Sequence, residues 1–197
     1  MNDTPDMENP REETDERLMA AFARGSSEAF STLFLRYKSR IFGFFCRRVE
    51  DRSQAEELTQ DTFVALLRAA DRYQPTSLFR TWMYAVALNI LRAHRRKTLF
   101  RALFTGKTPE HHDPPAVSFF ETELILREAV GKLEPVDREI LLLREFEELG
   151  YADIAVVLQI PVNTVRSRLF RARTALSELL AAPAPENRPL TRVEERP

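Results

Sequence analysis

Only one cysteine, Cys46, occurs in the 197 residues, so neither an intrachain disulfide nor a cysteine-rich zinc site can form. It lies in the apolar run from Ile41 to Cys46, where a buried reduced thiol is expected. The first residues lack the basic and apolar segments of a secretory signal, and no apolar run approaches the length that spans a bilayer. A soluble, cytoplasmic chain is therefore expected. Positive charge is not in excess either: 29 basic against 30 acidic residues give a net charge of −1, which argues against a general polyanion binder. There is no grouping of nucleophile, metal ligands or phosphate loop, and His111 and His112 are neighbours that point in different directions with no thiol or carboxylate beside them. An enzyme using His94, His111 or His112 finds little support, and no metal or cofactor is expected.

What is present is segregated charge and helical periodicity. Tyr151 to Arg173 reads as two helices joined by a short turn at Leu158-Gln159-Ile160. Ile154, Ala155 and Leu158 mark one apolar stripe, and Val165, Leu169, Ala172 and Leu176 mark another that can face it. Pro161 suits the first position of the second helix, since it has no N–H to lose there. The rest of that helix carries Asn163, Thr164, Arg166, Ser167, Arg168, Arg171 and Arg173, with no carboxylate between Val162 and Leu176. A solvated basic helix would usually interleave acids as i,i+4 partners. Their absence points to a helix-turn-helix whose second helix enters the major groove of DNA.

With 44% hydrophobic residues the chain can build a packed core, and two small all-helical units on a flexible linker are the expected architecture. Residues 1–14 and 182–197 lack periodicity and are expected to be disordered tails. Residues 15–97 form the first unit. Its first helix, from Asp15, should end at Gly25, and Ser26 or Ser27 should begin the next, in which Phe30, Leu33, Phe34, Tyr37, Ile41, Phe44 and Phe45 form a core stripe. Ser53 to Glu56 reads as a capping box that opens a third helix running to Ala70. There Ala55, Leu58, Thr62, Ala65, Leu66 and Ala69 are expected inside, and Glu57, Gln60, Asp61, Phe63 and Val64 outside; an exposed Phe63 beside acids suggests a contact site. Pro75 breaks the chain, Thr76 or Ser77 can cap the next helix, and Leu78 to Lys97 has Trp82, Ala85, Val86, Asn89, Ile90 and Ala93 at helical spacing, with Trp82 read as core and Asn89 an unusual residue for a buried site. That helix ends in Arg92-Ala-His-Arg-Arg-Lys97, which has no acid. An aromatic loop next to a basic helix suits single-stranded DNA. Residues 98–118, broken by Gly106, Pro109, Pro114 and Pro115, are the expected linker, and residues 119–181 the second unit. Within that unit Glu145, Glu147 and Glu148 would turn DNA away from one side.

In this order the motifs resemble the extracytoplasmic-function, or group 4, sigma factors of bacterial RNA polymerase, over roughly residues 18 to 180. The stretch Ala55-Glu-Glu-Leu-Thr-Gln-Asp-Thr-Phe63 is similar to region 2.2, which binds the coiled coil of the polymerase β′ clamp; the resemblance assigns that contact to Glu57, Gln60, Asp61 and Phe63. Phe79-Arg-Thr-Trp-Met-Tyr-Ala-Val-Ala-Leu-Asn89 and the basic block resemble regions 2.3 and 2.4, which open and read the minus-10 element. This implies roles for Tyr73, Phe79, Arg80, Asn89, Arg92, Arg95 and Arg96, with an extruded base received near Tyr73, Phe79 and Asn89. Glu134-Pro-Val-Asp-Arg-Glu-Ile-Leu-Leu-Leu-Arg144 and the helix-turn-helix resemble region 4, which binds the β flap and reads the minus-35 element, here through Asn163, Thr164, Arg166, Ser167, Arg168 and Arg171. Gln159 stands where the family usually has glycine, which implies a somewhat different turn. The implied partners are core RNA polymerase and promoter DNA, with both units available to an anti-sigma factor. Catalysis would then belong to the polymerase. The competing expectation is a helix-turn-helix regulator that is not a polymerase subunit, and such a protein would need a ligand or dimerisation domain where this chain has a basic aromatic helix.

Overall fold

A computed structural model describes residues 13–70, 73, 78–105 and 121–181. All regular structure among them is helical. The first four helices are α1 (Asp15–Ala23), α2 (Ser27–Cys46), α3 (Arg52–Ala69) and α4 (Phe79–Thr105); the last four are α5 (Glu121–Gly131), α6 (Pro135–Glu145), α7 (Tyr151–Leu158) and α8 (Val162–Ala181). Residues 1–12 and 182–197 of the expected tails, His111 and His112, and the proposed caps Thr76 and Ser77 lie outside the described residues, whereas Thr14, expected in the tail, caps α1 by accepting from the Arg17 N–H at 3.3 Å.

Local chemistry sets the boundaries. Gly25, at φ +105°, turns the chain out of α1 as expected, and Ser26 Oγ accepts from the Ala29 N–H at 3.3 Å to open α2. For α3 the cap is Asp51 rather than Ser53: its carboxylate accepts from the Ser53 N–H at 3.0 Å, and Glu56 pairs with Arg52 instead of closing a capping box. A carboxylate two residues earlier accepts more strongly than the serine hydroxyl and also suits the positive end of the helix. Helix α4 continues through Thr105, so residues 98–105 extend it into the expected linker. Nothing in Lys97-Thr-Leu-Phe-Arg-Ala-Leu103 breaks a helix; the first glycine is Gly106.

Helices α1 to α4 close around Met19, Leu33, Ile41, Phe44, Phe45, Leu66, Met83 and Leu91, all essentially without exposure, and α6 to α8 close around Ile140, Leu143, Ile154 and Val165. The buried stripe of α2 matches the expected one at Leu33, Tyr37, Ile41, Phe44 and Phe45, while Phe30 is half-buried and Phe34 partly exposed, and the thiol of Cys46, expected inside, is exposed at the helix end. On α4 the expected stripe is not the most buried side. The buried side holds Phe79, Met83, Tyr84, Ala87, Leu88 and Leu91, while Asn89 and Ala93 are exposed and Trp82, Ala85, Val86 and Ile90 are half-buried. Phe63 is also buried, at 5% exposure, with its ring edge-on to Phe34 at 4.8 Å.

The two halves pack on each other through α4 and α7. Arg80 donates to the backbone carbonyls of Glu147 and Glu148, both at 2.7 Å, and Thr81 Oγ1 donates to Asp153 at 2.6 Å. Below them the Glu147 carboxylate accepts from Arg47 at 2.8 Å and Arg48 at 3.4 Å, and Arg48 also pairs with Glu139 at 2.8 Å. Burial and the neighbouring Glu147 carboxylate push the Tyr84 hydroxyl above the usual tyrosine range. The acids expected to repel DNA thus divide their work: Glu147 is an internal anchor, and Glu145 pairs with Arg173 at 2.6 Å.

Candidate nucleic-acid and polymerase interfaces

The helix-turn-helix is built as the periodicity predicts. Gln159 adopts the left-handed conformation (φ 59°, ψ 46°), so the geometry a glycine favours is kept without one. The Ile160 N–H donates to Ala155 O at 3.1 Å and the Gln159 N–H to Val156 O at 3.3 Å, the paired bonds of a Schellman ending. Helix α8 starts one residue after Pro161, whose carbonyl accepts the first bond, from the Val165 N–H at 3.1 Å. Val165, Leu169 and Ala172 are buried against the unit's core.

Opposite that stripe, Asn163, Arg166, Ser167, Phe170, Arg171 and Thr174 are exposed. Their spacing of i, i+3, i+4, i+7, i+8 and i+11 makes them one face. Four of the expected upstream-element residues, Asn163, Arg166, Ser167 and Arg171, therefore stand side by side. Thr164 is partly covered at the rim, where its carbonyl accepts from the Ser167 hydroxyl at 3.1 Å. Arg168 departs from the expectation of a free base reader. It is turned towards α6, where Nη1 donates to Asp137 Oδ1 at 2.8 Å, and Arg171 approaches the same oxygen at 3.6 Å. The acids missing between Val162 and Leu176 are supplied across space, by Asp137 and Glu145. The latter's hydrogen bond also raises the pKa of Arg173.

Phe170 and Thr174 are the members of the face that sequence reasoning left out, and Phe170 matters more. It is 73% exposed in the middle of the stripe, and an apolar ring can meet a thymine methyl. Helical spacing alone could have found it, since it lies three and four residues from Ser167 and Arg166.

On the first unit, the downstream-element candidates divide. The Tyr73 ring lies 5.0 Å from Trp82 and 6.3 Å from Phe79, and its hydroxyl is buried without a hydrogen-bond partner among the described residues. Burial and the nearby Glu16 and Asp15 raise its pKa. Phe79 is 1% exposed, with its N–H donating to Glu16 at 2.9 Å, so it supports this cluster from behind and does not line an open pocket. Trp82 takes the outward place. Arg80 is held by the α6–α7 loop, as described. Asn89 is exposed with its Oδ1 3.5 Å from Arg92, Arg95 donates to the Arg48 carbonyl at 3.3 Å, and Arg96 is exposed. Residues 74–77 of the aromatic connection lie outside the described residues.

The polymerase candidates Glu57, Gln60 and Asp61 share the exposed side of α3. Phe63 does not join them as a free anchor: α2 covers it, because Phe30 and Phe34 reach across to its ring. Between the helices an open cavity of about 330 Å³ is lined by Phe34, Lys38, Phe42, Arg52, Gln60 and Phe63. No group of three or more metal-ligating side chains occurs among the described residues, and no helix there is long and apolar enough to cross a membrane.

Two family models match this layout: Sigma-70 region 2 over residues 33–99, and Sigma-70, region 4 over residues 123–176. The chain is similar to the RNA polymerase sigma-H factor of Pseudomonas aeruginosa, at 34% identity over 190 residues, covering 86% of this chain and 95% of that one. It is also similar to the ECF RNA polymerase sigma-E factor of Haemophilus influenzae, at 30% identity, covering 81% of this chain and 92% of the relative. Its fold matches the sigma factor RpoE solved in complex with the anti-sigma factor NepR from Bartonella quintana, with a TM-score of 0.68 at 24% identity over 79% of this chain and 98% of that one. With its two halves, their order and their motifs all accounted for, the chain belongs to the extracytoplasmic-function sigma factors, which direct RNA polymerase to promoters.

Proposed function

We propose that residues 119–181 read the upstream promoter element as duplex and residues 15–97 bind core polymerase and open the downstream element, with residues 98–118 between them. The observation that carries this reading is the single exposed face of α8, in which Asn163, Arg166, Ser167, Phe170 and Arg171 oppose the buried Val165, Leu169 and Ala172. That face supplies hydrogen bonds and an apolar contact to base edges, and each well-placed bidentate pair discriminates by ~1–3 kcal/mol. Downstream, Tyr73 and Trp82 offer aromatic surface to an unstacked base, while Asn89, Arg92 and Arg96 border it. Base extrusion costs a few kcal/mol, which such contacts offset.

Glu57, Gln60 and Asp61 form the contact to the β′ clamp, and residues of the second unit meet the β flap. The place of action is that of the polymerase, the cytoplasm, and the polymerase performs the chemistry. An anti-sigma protein, of the kind bound to the Bartonella relative, is proposed as the chain's regulator.

Run-off transcription with purified core polymerase on a library of genomic promoter fragments tests the reading. The expected result is enrichment of fragments that share two separated sequence elements. Transcription that is independent of the chain, or enrichment without shared elements, would overturn it.

A further inference from the structure

We propose that Asp137 is a positioning residue for upstream-element reading: it holds Arg168 away from the bases and fixes Arg171 at the edge of the DNA-facing side of α8. The inference rests on the reading of α8 given above and names how that face is kept in order.

Asp137 lies in the first turn of α6, two residues after Pro135, and is only 6% exposed. A carboxylate buried to that extent requires compensating charge. The helix's own N–H groups supply part of it. The remainder comes from α8: Arg168 Nη1 at 2.8 Å and Arg171 Nη2 at 3.6 Å, both directed at the same Oδ1.

Those two arginines sit three residues apart on one helix, where like charges repel. An acid between them offsets the repulsion: it holds Arg168 by a hydrogen bond and restrains Arg171 by a charge contact at 3.6 Å. The outcomes differ, however. The Arg168 side chain is 33% exposed and directed inward, whereas that of Arg171 is 60% exposed and belongs to the stripe with Ser167 and Phe170. Arginine is long and rich in rotamers, so one tethered beforehand loses less freedom on meeting a base. The same acid keeps two cations from lying indiscriminately on phosphate, which is the contact that carries no sequence information.

Asp137→Asn separates these effects because it keeps the shape and removes the charge. In the full chain bound to core polymerase, on a promoter library randomised in the upstream element, the variant should lose about fivefold of the preference at the position that Arg171→Ala also relaxes. Its binding to scrambled duplex should tighten, with a log–log salt slope steeper by about one, as a released cation takes up a phosphate. Asp137→Glu, which keeps the charge, should restore most of both.

Arg168→Gln is the second handle and leaves Asp137 paired with Arg171. Any relaxation it causes should fall on the position read by Arg171. Relaxation at a new position would mean that Arg168 itself reads a base and would overturn the inference. An Asp137→Asn profile and salt slope equal to those of the unaltered protein would do the same, as would a uniform loss across all sequences with an unchanged slope. Absence of any upstream preference in the unaltered holoenzyme would instead remove the reading of α8 itself, and this inference with it.

Discussion

Glu147→Ala should destabilise the chain by about 3 kcal/mol, near the lower end of the range for breaking a buried ion pair. The carboxylate and the Arg48 guanidinium are each 1% exposed, and the acid also accepts from Arg47 at 2.8 Å. Removing it leaves Arg48 charged and buried. Complete loss is avoided because Arg48 retains Glu139 at 2.8 Å and its place over the Phe44 ring at 3.7 Å. Arg47 is 29% exposed, so water compensates it in part. Glu147→Gln, which keeps one hydrogen-bond acceptor, should lose less. Urea unfolding measures the stability, and small-angle scattering reports whether the halves separate. Because Glu147 joins residues about a hundred positions apart in the chain, the alanine variant should expand. It should also bind core polymerase more tightly, since closure no longer competes with the extended arrangement needed to reach two promoter elements. Unchanged stability and size would show that this ion pair does not hold the halves together.

The largest functional loss is expected from Asp61→Arg combined with Gln60→Ala. Both residues are exposed on α3, so the fold should survive with its melting temperature within a few degrees of the original. Reversing a charge within a protein interface costs several kcal/mol, so affinity for core polymerase should fall roughly a hundredfold. Competition for core against a second sigma factor reads this directly. Phe63→Ala would be a poor substitute. Its ring is packed against Phe30 and Phe34, and the cavity left behind would cost about 3–5 kcal/mol of stability, confounding any binding result. Retained affinity in the double variant would count against the clamp contact.

The errors of the sequence reading have a common physical origin. The helix-turn-helix was legible through α8, which buries one narrow stripe (Val165, Leu169 and Ala172) opposite an exposed face, so a period of 3.6 has a single solution. Helix α4 has none: Trp82, Met83, Tyr84, Ala85, Val86, Ala87, Leu88, Ile90 and Leu91 are apolar nearly all round, and α3 and α7 both pack on it. Periodicity then cannot choose between opposite faces, and it chose the half-exposed one. Phe63 was misplaced because the width of a buried sector depends on what covers it, here two phenylalanines from α2. Arg168 appeared free because its partner, Asp137, is 31 residues earlier, beyond the reach of any local pattern. The packing of the two halves was illegible for the same reason: Arg48 and Glu147 are 99 residues apart. Gln159 is the opposite case, where the backbone kept the geometry and the residue type was the exception.

The central claim is that promoter selection arises only when polymerase sets the separation of the two units, since modules joined this way gain affinity only at a matched span. Fluorescence anisotropy of a labelled promoter duplex tests it most directly, titrated once with the free chain and once with the chain bound to core polymerase, each against a scrambled duplex. The account predicts weak binding by the free chain with little distinction between the duplexes, and a preference of at least about a thousandfold for the promoter by the complex. Comparable discrimination by the free chain would contradict it.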